Sequence, residues 1–247
     1  MLVQQIISKA RYDCKTKGIS YVINFYILNL GANLLKYPYY QYFHNKQQFD
    51  YNGVKLQYFC HWYNNTFNNE RYIEISILLH HLKEHTDHRI LEVGNVTSHY
   101  FSLKHDIVDK YEKDHGVINE DIIDYAPLNK YDFIYSISTM EHVGYDERPK
   151  DEDKVIHAVE RLRNMLNPEG ELIITIPKGY NPALDQHIDK KRIAFDKMYC
   201  FKRVSKDNQW VQSSWDEIKE ITWEEKYPYA NALIVGIYTN SVQKQLI

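Results

Sequence analysis

The chain has 247 residues, with 30 Lys plus Arg against 33 Asp plus Glu and a formal charge of −3. That length accommodates one to two domains and buries a core large enough to fold without disulfide or metal staples. The faintly acidic balance excludes a dedicated nucleic-acid binder with a basic footprint, and 14% aromatics, 22 of them tyrosine, exclude a disordered chain.

Cys14, Cys60 and Cys200 are far apart and odd in number. They make neither a disulfide framework nor a cysteine zinc site, and a reducing compartment fits them. The first fifteen residues lack the apolar run and small-residue cleavage site of a signal peptide, so a cytoplasmic protein is expected. Residues 18–35 carry no charge but include Ser20, Asn24, Asn29, Asn33 and Gly31. The asparagines do not share one helical face. The stretch reads as a buried helix or helix pair, with peripheral membrane contact through 18–35 as the alternative and a true span as the weakest reading.

Next, Asn52-Gly53 lies between Phe49-Asp-Tyr51 and Val54 to Phe59, the strongest short-range hairpin signal. Tyr72, Ile75, Leu78, Leu79 and Leu82 then recur at helical spacing. From there the pattern changes to short apolar runs: Arg89 to Val93, Asp106 to Asp109, Gly116 to Asn119 and Tyr131 to Ile137. A helix over Val155 to Leu166 is stopped by Asn167-Pro-Glu-Gly170. Runs at Glu171 to Ile176, Met198 to Val204 and Ala232 to Tyr238 complete the set. Strands alternating with helical stretches predict an α/β fold, a Rossmann-like doubly wound and mostly parallel sheet covered on both faces. In such sheets ligands lie at the carboxyl ends of the strands.

The residues just after each strand therefore carry the functional reading. Glu92 precedes the Gly94-Asn95 turn, where glycine allows close backbone approach. Asp109 stands 17 residues after Glu92, near the spacing at which an acid holds a ribose diol. Glu120 and Asp121 follow the third strand, where an acid can meet an adenine amino group with Ile122 packed on the ring. Each acid alone is ordinary for a solvated loop; three directly after strands point one way.

The ordered series RILEVGN, DIVDKYE, NEDIIDYAP, YDFIYSISTMEHV and LNPEGELIITIP resembles the motifs of class I S-adenosylmethionine-dependent methyltransferases. The resemblance covers about residues 69 to 247 and leaves 1–68 as an N-terminal helical and β-hairpin segment. It implies a seven-stranded sheet with an antiparallel last strand, and S-adenosylmethionine as cofactor. It implies Glu92, Gly94 and Asn95 around the methionine part, Asp109 with the adjoining Lys110 at the ribose, Asp121 and Ile122 at adenine, and Ser138 lining the site. The family often has two or three glycines where this chain has Asn95 and Thr97. The stretch Asn64 to Arg71 resembles an NER-type segment of a subgroup associated with sugar or surface-glycan modification. Arg71 would then pair bidentately with the cofactor carboxylate; alternatively Asn69 simply caps the helix and Glu70 favours its positive end.

By this reading a small-molecule or glycan hydroxyl is the acceptor, and His142 is the candidate base, with Glu141 orienting it or touching substrate. Otherwise His142 merely packs or caps the next helix, and Asp146 and Glu147 are alternative bases. Some relatives bind a divalent ion through E-x-x-E-H here; Ser138 replaces the first carboxylate, so no metal is expected. Lys178 to Pro182, after the fifth strand, is placed to shape the acceptor pocket. Two rival readings remain: a non-catalytic methyltransferase-like binding module, and a zinc hydrolase using His81, Glu84 and His85, which match H-x-x-E-H.

Overall fold

The computed structural model describes residues 36–44 and 46–241. The uncharged stretch 18–35 lies outside the described residues. No helix among those described is long and apolar enough to cross a membrane.

After a π-helical turn at Tyr40–His44, β1 (Gln48–Tyr51) and β2 (Val54–Gln57) form an antiparallel hairpin. Asn52 and Gly53 both have positive φ, as a two-residue hairpin turn requires. Helix α1 (Arg71–Leu82) leads into β3 (Ile90–Val93), β4 (Asp106–Val108), β5 (Val117–Ile118) and β6 (Tyr131–Ile137). Then come α2 (Lys154–Asn164), β7 (Leu166–Pro177), α3 (Pro182–Asp189), β8 (Lys197–Arg203), β9 (Trp210–Ser213), the short α4 (Trp215–Ile218) and β10 (Ala232–Thr239).

The main sheet has eight strands in the order β5-β4-β3-β6-β7-β10-β8-β9. The first five are parallel, and β10 runs antiparallel to both β7 and β8. The last strand is thus antiparallel, as expected. The additional strand is β9, which pairs antiparallel with β8 at the edge. Only four residues long and with Val211 and Gln212 exposed, it offers too brief an alternation to be read from sequence.

Two cores lie on opposite faces. Leu91, Ile134, Leu172, Ile174 and Ile234 face α2 and α3, whose Val159, Leu162 and Leu184 are buried against them. Phe133, Tyr135, Ile173, Leu233 and Val235 face α1 and the hairpin. Alternation along β6 and β10 sends successive side chains to opposite cores. The hairpin belongs to the second core: Phe49 and Tyr51 pack on Phe201, and the Trp210 amide donates to the Tyr58 hydroxyl at 2.9 Å.

Two expectations need correction. Strands and helices do not alternate throughout. Between β3 and β4 there is only a 3-10 turn at Thr97–His99. There the Glu92 carboxylate accepts from the Val96 and Thr97 amides at 2.8 and 2.7 Å and from the Thr97 hydroxyl, fixing a tight turn instead of a helix. In addition, Asn167-Pro-Glu-Gly170 belongs to β7 rather than separating it from α2. It forms an irregular start to the strand, with a register shift opposite Tyr131/Phe133 and the Glu169 amide donating to the Asn240 carbonyl.

Candidate functional site

The carboxyl ends of β3, β4, β5 and β6 enclose a cleft of about 440 Å³, within the range of small-molecule sites. It lies where strand order reverses, since the chain goes from β3 outward to β4 and β5 and then returns to β6. Its base is apolar, from Val93, Val108, Ile122, Met140 and Val143, and its walls carry Asp109, Lys110, Asp121, His142 and Asp146.

The turn after β3 is built on Gly94. Its φ is +85°, and a Cβ would collide with the Thr139 side chain from the loop after β6. The Gly94 amide donates to the Val108 carbonyl at 2.8 Å, folding the turn onto β4. Asp109 braces the same turn. Its Oδ2 accepts from the Asn95 amide at 3.1 Å and its Oδ1 from the Tyr111 and Glu112 amides at 2.8 Å. Oδ1 is saturated by its two donors, and Oδ2, with one, retains acceptor capacity.

One wall is a closed charge network. Lys110 reaches Asp121 at 2.9 Å and Glu147 at 2.5 Å, and Lys154 reaches the same two carboxylates at 2.5 and 2.7 Å. Burial would raise Asp121, but the bonds from Lys154 and Lys110 hold it down at about 2. Counting Asp109, Glu120 and Asp146, the lining has five carboxylates against the two ammonium groups. The cleft therefore favours a cationic ligand.

At its other end, His142 Nδ1 lies 2.5 Å from Asp146 Oδ2, which also accepts from the Tyr180 hydroxyl at 2.9 Å. Such a pair fixes the Nδ1–H tautomer and leaves Nε2 basic. Glu141 Oε1 is 3.6 Å from Nε2. Glu141 itself is buried, with Oε2 unpartnered among the described residues. Burial pushes its carboxyl well above the usual range, and Glu74 and Glu70 add to this against Arg71. Asp146, bonded to Nδ1, occupies the position that orients the imidazole, and Glu141 does not.

Six of the sequence candidates come together in the cleft: Gly94, Asp109, Lys110, Asp121, Ile122 and His142. Five do not line it. Glu92 is spent on the Val96 and Thr97 amides and on His105 and Tyr135, so it organises the loop. Asn95 contributes its backbone to Asp109, and its side chain accepts from Ser98. Ser138 donates to Glu74 at 2.6 Å. Arg71 pairs with Glu74 at 2.7 Å, one turn along its own helix, and Glu141 sits behind His142. The Arg71-x-x-Glu74 spacing was the available signal for that local pairing. Lys154, 33 residues from Asp121, left no signal.

His81, Glu84 and His85 lie at the end of α1, toward the amino ends of the strands and away from the cleft. His81 and His85 lie 3.2 and 3.8 Å from Glu171, His81 also contacts Tyr51, and Glu84 is exposed. Among the described residues no group of three or more His, Cys, Asp or Glu side chains is arranged to hold a metal ion.

No family model matches the chain, and no curated protein does. Solved structures do. The N-methyltransferase NodS from Bradyrhizobium japonicum, in complex with S-adenosyl-L-homocysteine, is 11% identical at a TM-score of 0.46, covering 71% of this chain and 90% of that one. A S-adenosylmethionine-dependent methyltransferase from Thermotoga maritima, described as a possible histamine N-methyltransferase, is 15% identical at a TM-score of 0.43, covering 72% and 94%. TehB from Haemophilus influenzae is 12% identical at a TM-score of 0.39, covering 70% and 65%. Similarity at these values does not extend to activity.

Proposed function

We propose that the chain is an S-adenosylmethionine-dependent methyltransferase that methylates a hydroxyl of a sugar or glycan. The observation that carries the reading is the acidic cleft at the strand-order reversal, with Gly94, Asp109 and Ile122 each on the loop after a different parallel strand. The residues present fit the cofactor. Val108, Ile122, Met140 and Val143 offer an apolar slot for a purine, and Asp109 keeps acceptor capacity for a ribose diol. Gly94 and Thr139 line the cleft where the amino-acid part would lie, and the excess of carboxylates suits its positive charges.

S-Adenosylmethionine when bound supplies an electrophilic methyl group on a positively charged sulfur. What this chain contributes is alignment, exclusion of water and removal of a proton. His142 Nε2 takes the proton of the acceptor hydroxyl as its oxygen becomes the nucleophile, and Asp146 stabilises the imidazolium through Nδ1. Tyr180 holds Asp146 in place. The sugar part of the proposal rests on the resemblance of Asn64 to Arg71 to the glycan-modifying subgroup.

The test is methyl transfer to a pool of saccharides, followed by mass spectrometry. The wild type is expected to add methyl groups, and His142→Gln to slow this about 10²–10⁴-fold while S-adenosylhomocysteine affinity is retained. A His142→Gln enzyme at wild-type rate removes the base from the account. Cofactor binding with no transfer to any acceptor supports the non-catalytic module instead.

A further inference from the structure

A second cavity, of about 280 Å³, lies beyond the loop that follows β7, between α3 and α4. The Lys178 to Asn181 loop borders both it and the His142 end of the cleft. On one side of that loop Tyr180 stacks edge-on against His142, with ring centroids 4.7 Å apart, and bonds Asp146. On the other, Lys178 and Gly179 line the second cavity.

The chemistry of this cavity is specific. Lys178 is 5% exposed and its Nζ lies 3.2 Å from both Asp185 Oδ2 and the Ile221 carbonyl. One of its three N–H groups is left over. Asp185 is 9% exposed; Oδ2 also accepts from the Gly179 amide at 3.0 Å, and Oδ1 has no partner among the described residues. A buried carboxylate oxygen without a donor is costly. Beside this donor–acceptor pair stands Trp215, partly buried, its indole N–H donating to Asp189 at 3.0 Å. Gln186 completes the polar wall. Lys178 is paired with Asp185 and Lys219 with Asp216 at 2.9 Å, while Asp189 and Glu220 on the same lining make no ion pair among the described residues. An anion would meet this excess of carboxylates, whereas a ligand with several hydroxyls would find donors, acceptors and an aromatic wall together.

We infer that this cavity is an anchoring subsite for one ring of a neutral saccharide whose next unit extends over Tyr180 toward His142. The inference deepens the methyltransferase reading and rests on it. It makes the acceptor an oligosaccharide rather than a lone hydroxyl compound.

Saturation-transfer NMR on the full chain tests it, with maltose, cellobiose and lactose as neutral probes and glucose 6-phosphate as the anionic control. S-Adenosylhomocysteine is titrated into the same samples. At least one disaccharide is expected to receive saturation more strongly than the phosphate. Trp215→Ala is expected to weaken that binding about three- to ten-fold, with Asp189→Asn acting in the same direction and S-adenosylhomocysteine affinity unchanged. Asp189 is exposed, so its variant stands even if Trp215→Ala fails to fold. No transfer to any disaccharide, in a protein that binds S-adenosylhomocysteine, overturns the subsite and leaves the function standing. Transfer undiminished in both variants overturns it as well. Trp215-dependent saccharide binding without any S-adenosylhomocysteine binding keeps the cavity and removes the methyltransferase reading.

Discussion

Gly94 and Gly53 separate two reasons for a glycine. Both have positive φ, +85° and +82°, but a Cβ at Gly53 meets nothing within 4 Å, whereas at Gly94 it strikes Thr139. Gly53→Ala is expected to cost only the backbone term, on the order of 1–2 kcal/mol. Gly94→Ala is expected to cost more, with part of the loss recovered in the Gly94→Ala/Thr139→Ala double variant, all read from urea unfolding. Equal costs for the two single variants would show that the Thr139 contact does not constrain the turn. At this scale the sequence was informative where a residue's role depends on its position after a strand. Gly94, Asp109, Ile122 and His142 share the cleft because each follows a strand whose end is recognisable in the sequence. It is silent on a side chain's direction. Glu92, Ser138 and Arg71 are near the right strand ends, yet hydrogen bonds to Thr97, Glu74 and Glu74 turn them away from the cleft.

At the scale of elements, the start of α1 carries ionisable side chains into the protein interior. Glu70, Arg71 and Glu74 enter the core together, with Ser138 and Thr175 donating to Glu74. Burial, reinforced by Glu74 and partly opposed by Arg71, pushes the Glu70 carboxyl up from 4.5 to about 7. Because the folded value lies above the unfolded one, the folded state binds the extra proton. The contribution of Glu70 to stability is therefore fully present below pH 4.5 and is lost as pH rises through about 7. Glu70→Gln is expected to remove that loss, and at pH 8 to be more stable than wild type by on the order of 1–3 kcal/mol, measured by chemical unfolding across pH. A constant difference between the two proteins from pH 4 to 8 would contradict it. The hairpin and α1 were legible because local turn chemistry and helical spacing specify them. The missing helix after β3 was not, because the direction of the Glu92 side chain, which accepts from the Val96 and Thr97 amides, decides that turn.

For the whole molecule, the sheet was the most legible feature. Seven strands could be read because central strands buried on both faces are continuous apolar runs. The eighth, β9, is an edge strand whose pairing is set by β8 and by the hairpin packed beside it rather than by its own pattern. Both faces are covered, one by α2 and α3 and the other by α1 and the aromatic hairpin, which leaves the carboxyl edge as the place for two neighbouring cavities. The central claim is that the larger of these holds S-adenosylmethionine. Calorimetric titration with S-adenosylhomocysteine tests it most directly, on the wild type and on Asp109→Ala, with circular dichroism confirming that both are folded. The account predicts micromolar binding by the wild type and its loss in the variant. A folded wild type that takes up no S-adenosylhomocysteine, or a folded Asp109→Ala that binds it equally well, would contradict the assignment of the cleft.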